Sequence, residues 1–555
     1  MNVSAKTRTS IIFLLLSTLY VVVACRLYYI QIRNNTFYAN LGEKQYNVTL
    51  TIYPPRAAIY DRSGNHLLAM NKDSVAAFIL PKALEDRTQL ESFLKRHFNS
   101  AYKRLKGNPP SHFMYIARRL TPEQIQLITN ANITDIKLLN ESGRFYPNES
   151  AGLVIGITDI DNKGLFGLEL VYNTQLAGKP TTQVLQKDAR SGHFYFTHET
   201  KIRGYEGTSV RCTIDNDLQF LAYEELVKTV EQCHAKEGSI IVMNPDTGEI
   251  LALAHVPTFN PNHTRTLDMD LTKNPVITET YELGSVIKVL AALAALEEGV
   301  VTPDELIDCE DVKTTYIDGR KVNTVPSSVA GVIPFSQVIE KSNNIGIAKV
   351  VRKLGPRLYD HYIRMGFGHK TGIAFPGEPD GFVNPPHNWS KQSLFSLSYG
   401  YEISATLLQL ARAFCIIANG GYAIKPLLMI DTCTPTSIRG KPVYSATTIE
   451  TIKNILEGTV LQGSAQKARI QGYRIMGKTG TANLLVNGSY SYTKNIYTFA
   501  GIVENSAPTR TKGSYQRVIV TFIKDVSKHN VYASTIAAPL FEKIAERMLI
   551  HDKIV

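Results

Sequence analysis

Residues Ser239 to Val256 read SIIVMNPDTGEILALAHV. Two apolar runs flank a P-D-T-G turn, the pattern of a β-hairpin. Helical periodicity follows in VIKVLAALAALEEG (286–299) and in ATLLQLARAFCIIANGG (405–421), whose closing Gly-Gly pair is a stop signal. Strand-like runs return in GYRIMGKTGTANLL (472–485), NIYTFAGIVE (495–504) and QRVIVTFIKDV (516–526). Strands, a long helical middle and strands again predict an α+β fold. The natural packing is an antiparallel sheet drawn from both ends of the region, with helices between and over it.

This texture begins near Thr208, whereas the stretch from about Asn34 to Gly207 is polar and broken, without repeats or any catalytic pattern. A chain of 555 residues is too long for one ordinary domain. Near the start, Ile11 to Ala24 (IIFLLLSTLYVVVA) carry no charge, and apolar character resumes after Arg26. Counted through Ile32 the segment is long enough to span a bilayer, with Arg26 able to snorkel to the headgroups. Lys6 and Arg8 precede it, so the positive-inside bias leaves a short cytoplasmic tail and exports the rest. Two other readings stay open. One is a cleaved signal peptide, although no A-x-A site is nearby. The other is a lipoprotein box at Val22-Val23-Ala24-Cys25. All three export the main body. The expected division is a tail (1–10), a transmembrane anchor (11–32), a non-catalytic pedestal (33–207) and the α+β domain (208–555).

Apolar residues at 44% and charged residues at 20% are a globular mixture, so disorder is not the default. The net charge of +11 comes from scattered Lys and Arg with no nucleic-acid motif, which reads as a solvated basic face, not a nucleic-acid footprint. The six cysteines have no C-x-x-C pair and no metal-ligand spacing. Cys25 lies in the apolar segment, and the odd number left (Cys212, Cys233, Cys309, Cys415, Cys433) reads as buried free thiols.

Three short motifs carry the chemistry. Ser285-Val286-Ile287-Lys288 opens an apolar helical run, and positions i and i+3 share a helix face, so the Lys288 amine can lie beside the Ser285 hydroxyl. A serine needs a neighbouring base, and a lysine serves as one only when burial or a nearby cation lowers its pKa. Gly284 relieves crowding at the start of that helix, whose N–H groups can stabilise an oxyanion. Alone the pattern says little, because S-x-x-K also occurs at Ser92/Lys95, Ser100/Lys103 and Ser464/Lys467. Ser342-Asn343-Asn344 is the second motif. It reads either as a cap or turn, or as a site in which Ser342 relays a proton and Asn344 holds a substrate peptide bond. The third, Lys478-Thr479-Gly480-Thr481, follows the apolar run YRIM. Its Gly480 permits close backbone approach, so a peptide could add along that strand edge. Lys478 offers charge to a terminal carboxylate and would depress the pKa of Lys288, while the N–H groups of Ser285 and Thr481 could form an oxyanion hole. Lys370-Thr371-Gly372 repeats K-T-G inside a Gly- and Pro-rich loop with Ile373 after it, and is rejected. No G-x-S-x-G or H-E-x-x-H pattern occurs.

In this order, S-x-x-K, S-x-N and K-T-G followed by Thr resemble the signatures of the penicillin-recognising serine enzymes. Arg56-Ala57-Ala58-Ile59-Tyr60-Asp61-Arg62-Ser63-Gly64 is similar to the R-G-x-I-x-D-R-x-G box of the class B penicillin-binding proteins, and Gly164-Leu165-Phe166-Gly167-Leu168-Glu169 to their G-x-x-G-[LIV]-E box. MNPDTGEILALAHVPTFNPN (243–262), GFGHKTGIAFPGE (366–378) and SLSYGYEISATLLQLARA (396–413) are also similar to class B segments. Within the class, the last of these, GYRIMGKTGTA (472–482) and CRLYYIQI (25–32) most resemble the division transpeptidases. Departures are Leu283 for the usual Pro, Ile287 and Val289 around the lysine, Ala57 for Gly, and Phe166 at a usually polar position. None removes a catalytic side chain.

The resemblance implies a peptidoglycan D,D-transpeptidase of the inner membrane. Its pedestal would be of the dimerisation type, its active domain periplasmic, and its site would need no metal or organic cofactor. Ser285, Lys288, Ser342 and Lys478 would be catalytic, and Asn344, Thr479, Gly480 and Thr481 would bind substrate. Implied partners are stem peptides ending in D-Ala-D-Ala, β-lactams, an FtsW-type glycan polymerase and other division proteins. Competing readings are an elongation-type class B enzyme, a D,D-carboxypeptidase and a non-catalytic scaffold. A β-lactamase would be about half as long, and a penicillin-sensing receptor would need several membrane spans.

Overall fold

The computed structural model describes residues 5–554, apart from Ala83, 108–112, 188–193, 265–266, 431–440, 487–488, 506–514 and 528–530. Cys433 therefore lies outside the described residues. The chain forms two units, residues 1–56 with 177–208, and residues 57–176 with 209–555.

In the first unit, helix α1 (Ala5–Tyr28) runs into a π turn at Tyr29–Arg33 and a second helix at Asn35–Tyr46. The apolar side chains of α1 point outward, and among the described residues residues 6–33 form the one helix long and apolar enough to cross a membrane. A three-stranded antiparallel sheet has Thr181–Lys187 at its centre, between Asn47–Ile52 and Phe194–Ile202.

The second unit opens with a head built on the long strand β1 (Leu67–Ile79), which pairs antiparallel with β2 (Lys137–Phe145). Three helices, Arg87–His97, Asn99–Lys106 and Pro122–Ala131, bury Leu90, Leu94, Leu105 and Ile128 over them in a separate small core. This order was illegible in the broken sequence because each element is short and only its packed face is apolar.

The larger part of this unit contains, in chain order, α2 (Asn216–Cys233), β3 (Ala235–Met243), β4 (Ile250–Val256), α3 (Lys288–Glu297), α4 (Phe335–Glu340), α5 (Asn344–Leu354), α6 (Leu407–Ala418) and α7 (Ala446–Leu461). It ends with β5 (Tyr473–Val486), β6 (Ser489–Asn505), β7 (Gln516–Val526) and α8 (Ala537–His551). The expected hairpin is β3–β4, closed by an Asn244–Glu249 backbone bond of 2.9 Å. Gly248 takes φ +79° in that turn, where a Cβ would meet the Lys425 carbonyl at 2.2 Å.

The five strands form one antiparallel sheet in the order β4-β3-β7-β6-β5, so both ends of the domain supply it, as the pattern predicted. Alternate side chains face opposite ways. Ile240, Val242, Phe499 and Ile519 pack under α2 and α8, with Leu226 and Phe541. Ile241, Met243, Ala500 and Val520 pack under the helical middle, with Leu290 of α3 and Phe414 of α6. Both faces are covered, which is why these strands read as continuous apolar runs. Helix α6 starts at a capping box between Thr406 and Gln409 and stops at Gly420 and Gly421, both at positive φ. Cys212, Cys309 and Cys415 are buried free thiols and Cys233 is half-buried. Strand β5 is the outer edge of the sheet.

Candidate active site

Ser285 does not sit in the α-helix that its motif predicted. It lies in a 3₁₀ turn, Gly284–Val286, and α3 begins at Lys288. In 3₁₀ geometry positions i and i+3 are eclipsed, so serine and lysine still share a side. Two glycines press this turn against the edge strand. Gly284 takes φ +59°, and a Cβ there would lie 2.8 Å from the Thr481 carbonyl. A Cβ on Gly480 would lie 2.5 Å from the Leu283 carbonyl. The close approach expected of Gly480 is thus made first by the serine turn itself.

Lys288 is 1% exposed and Lys478 fully buried. The Lys288 ammonium donates to the Ser342 carbonyl at 2.6 Å and to the Ser342 hydroxyl at 3.0 Å. It bonds to Ser342 and not to Ser285, whose hydroxyl has no hydrogen-bond partner among the described residues. Burial pushes the Lys288 pKa well below its ordinary 10.5, and the nearby Lys478 charge lowers it further. Burial alone brings Lys478 down to about 7, and its Nζ makes one long bond, 3.3 Å, to the Thr479 carbonyl. Burial and the neighbouring like charge both work against the charged form of Lys288. A neutral amine can accept a proton, which is what a base for Ser285 requires.

Ser342 takes φ +60° in the tight turn between α4 and α5, outside the conformations most residues adopt. The Ser342 N–H donates to the Ile339 carbonyl at 3.0 Å. Asn343 caps α5, accepting from the Gly346 N–H at 2.8 Å while its amide donates to the Ser328 carbonyl at 2.7 Å. Both readings of this motif thus have a basis, with the middle residue serving as the cap. Asn344 lines the site cavity, but its amide donates to the Asn323 carbonyl at 2.6 Å.

The cavity of about 740 Å³ brings Ser285, Lys288, Ser342, Asn344, Thr479 and Thr481 together. Lys478 and Gly480 stand behind its wall on the same strand. Lys341 also lines it, and no carboxylate does, so the cavity favours an anionic ligand. Sequence reasoning missed Tyr399, Tyr401, Gln462, Asn483 and Tyr532, which complete the wall. The two tyrosines stood in SLSYGYEISATLLQLARA, noted as a segment but not as a site. Ser464, noted only as a spurious S-x-x-K match, lines the cavity too and lies 3.4 Å from the Thr479 hydroxyl, while Lys467 is exposed and poorly placed to act as a base. Thr371 of the rejected K-T-G is buried against Glu378, away from the cavity.

Residues 238–546, more than half of the chain, match the penicillin binding protein transpeptidase domain, and residues 51–211 match the penicillin-binding protein dimerisation domain. The chain belongs to the class B penicillin-binding proteins. Its enzyme class is that of the penicillin-binding serine transpeptidases. The chain is 30% identical to peptidoglycan D,D-transpeptidase FtsI of Buchnera aphidicola subsp. Baizongia pistaciae, over 99% of this chain and 96% of the relative. It is 29% identical to the probable peptidoglycan D,D-transpeptidase PbpC of Pseudomonas aeruginosa, over 96% and 94%. Penicillin binding protein 3 of Mycobacterium tuberculosis, complexed with aztreonam, superposes with a TM-score of 0.67 at 26% identity, covering 91% of this chain and 98% of that one.

Two of the class B boxes now have physical roles. Asp61 closes a turn by accepting from the Gly64 N–H at 2.9 Å and the Ser63 hydroxyl at 2.8 Å, and Arg62 pairs with Glu249 in the β3–β4 turn at 2.9 Å. Glu169 is fully buried against Arg144 at 2.7 Å. Gly164 and Gly167 allow that fit, since a Cβ on Gly164 would meet the Glu169 carbonyl at 2.0 Å.

Proposed function

We propose that the chain is a peptidoglycan D,D-transpeptidase of the division septum that forms an acyl-enzyme at Ser285 and is inhibited there by β-lactams. One observation carries the reading: a serine whose hydroxyl has no hydrogen-bond partner among the described residues shares a cavity with a buried lysine of strongly lowered pKa, beside the open edge of β5. Neutral Lys288 takes the Ser285 proton as Oγ bonds to the carbonyl carbon of the penultimate D-Ala. The backbone N–H groups of Ser285 and Thr481 receive the oxyanion. The C–N bond to the terminal D-Ala then breaks, and its nitrogen receives the proton through the Ser342 hydroxyl. Thr479 and Thr481 hold the terminal carboxylate, and Lys478 behind them on the same strand supplies positive charge. Asn344 holds the donor peptide bond, and Gly480 keeps the strand close to the serine turn. An amine of a neighbouring stem peptide, that of meso-diaminopimelate, then attacks the ester and frees Ser285.

The apolar helix supports a single-pass inner-membrane anchor that leaves residues 33–207 as a pedestal and 208–555 as the periplasmic catalytic domain. Septal work beside an FtsW-type polymerase and other division proteins is supported by the FtsI relatives. Labelling with a fluorescent penicillin tests the site. Wild type should label and Ser285→Ala should not, and equal labelling of both would sink the assignment. Depleted cells should filament, whereas rounding would move the enzyme to elongation. Release of D-Ala without cross-links, with an amine acceptor present, would make it a carboxypeptidase.

A further inference from the structure

Glu282 stands three residues before Ser285. Its carboxylate accepts from the Glu402 backbone N–H at 2.9 Å through one oxygen and from the Tyr490 hydroxyl at 2.8 Å through the other. Three elements thereby meet on one side chain: the approach to the serine turn, the 399–402 loop and strand β6. Backbone contacts hold the first two against each other. Tyr281 exchanges bonds of 2.9 and 3.0 Å with Ala405, and the Gly284 N–H donates to the Gly400 carbonyl at 3.3 Å. A Cβ on Gly400 would lie 2.2 Å from the Gly284 carbonyl, so these strands of chain cannot separate or swell without moving the nucleophile. Glu402 is held at φ +58°, a conformation that costs a non-glycine residue energy unless its surroundings impose it. The Glu282 carboxylate on its N–H is one such restraint.

The third element reaches the cavity through aromatic rings. Tyr490 meets Tyr401 edge-to-face at 5.2 Å, and Tyr401 meets Tyr399 at 6.2 Å. Tyr399 and Tyr401 line the catalytic cavity, whereas Tyr490 and Glu282 do not. The hydroxyl of Tyr490 is fixed by Glu282, its ring props Tyr401, and Tyr401 forms the wall against which a donor must lie. We propose that Glu282 is a positioning residue for donor binding, setting the Tyr401 wall at a fixed distance from Ser285 through the Glu402 amide and the Tyr490 hydroxyl. It touches neither the reacting atoms nor the bound donor. The inference rests on the acyl-enzyme reading given above.

The test uses the full-length chain in detergent, with rapid-quench acylation by a fluorescent penicillin to separate the dissociation constant from the acylation rate constant. Melting temperature and the fraction of labelled molecules are recorded beside them. Glu282→Ala should weaken the dissociation constant about tenfold, the scale of a lost hydrogen bond to a charged group, with the rate constant changed less than about threefold. Tyr490→Phe should reproduce part of that loss with its ring in place. The double variant should be no worse than Glu282→Ala, because the two residues act through one contact. Glu282→Gln, which keeps an acceptor oxygen, should recover most of the affinity. Unchanged constants, or a loss seen only as fewer labelled molecules with a lower melting temperature, would overturn the proposal. So would additive effects of the two substitutions. Absence of labelling in wild type, or labelling of Ser285→Ala, would instead break the acyl-enzyme reading.

Discussion

Two buried charge constellations in the same unit are handled in opposite ways. In the head, Arg144 and Glu169 are both fully buried, opposite in sign and 2.7 Å apart. In the catalytic region, Lys288 and Lys478 are just as buried, alike in sign and without a carboxylate in the cavity they flank. The first arrangement neutralises its own desolvation and serves the fold. The second leaves the desolvation uncompensated, so the energy appears as lowered pKa values. Burial of charge is structural where it is paired and chemical where it is not.

The comparison breaks most visibly at Lys288. Lys288→Met should lower penicillin acylation by about 10²–10⁴-fold, the usual contribution of a positioned base, without lowering the melting temperature. A large drop in melting temperature with activity per folded molecule retained would make the lysine structural. Glu169→Gln should do the reverse. Leaving Arg144 unpaired should cost about 3–5 kcal/mol of stability, read by thermal melting, while the folded molecules acylate normally.

Lys478 sharpens the contrast through pH. Its folded pKa of about 7 lies below the ordinary 10.5, so between those values the unfolded chain binds more protons than the folded one. Stability should therefore rise with pH across that window, and the penalty should be complete below pH 7. Lys478→Met should flatten the rise and raise stability at neutral pH by about 1–4 kcal/mol, measured by denaturation at several pH values. The same variant removes a like charge from Lys288, so the ascending limb of its residual acylation should move to higher pH. The smallest effect is expected of the isosteric pair Arg144→Met with Glu169→Leu. It should recover most of the stability lost in Glu169→Gln, because both charges leave together.

Much of the catalytic region was legible because its chemistry is written in short spacings. Ser285 to Lys288, Ser342 to Asn344 and Lys478 to Thr481 are local, and local spacing survives in a sequence. The walls were not legible. Tyr399 with Tyr401, Ser464 and Tyr532 reach the cavity from three separate stretches, and nothing in each stretch marks it as facing the others. The head was the least legible part, since its short elements carry apolar residues only on their packed sides.

By itself the sequence determined the grouping of Ser285 with Lys288, Ser342 and Thr479, the sheet assembled from both ends of the domain, and an apolar segment long enough to span a bilayer. These depend on periodicity and spacing, which are properties of the chain. Only the tertiary structure decided that Ser285 lies in a 3₁₀ turn, that Lys288 bonds to Ser342, and that Gly480 presses on the Leu283 carbonyl. It also decided that Arg144 finds Glu169 while Lys288 and Lys478 find no acid among the described residues. Desolvation and close backbone approach are set by what distant segments bring to one place, and no local pattern contains them.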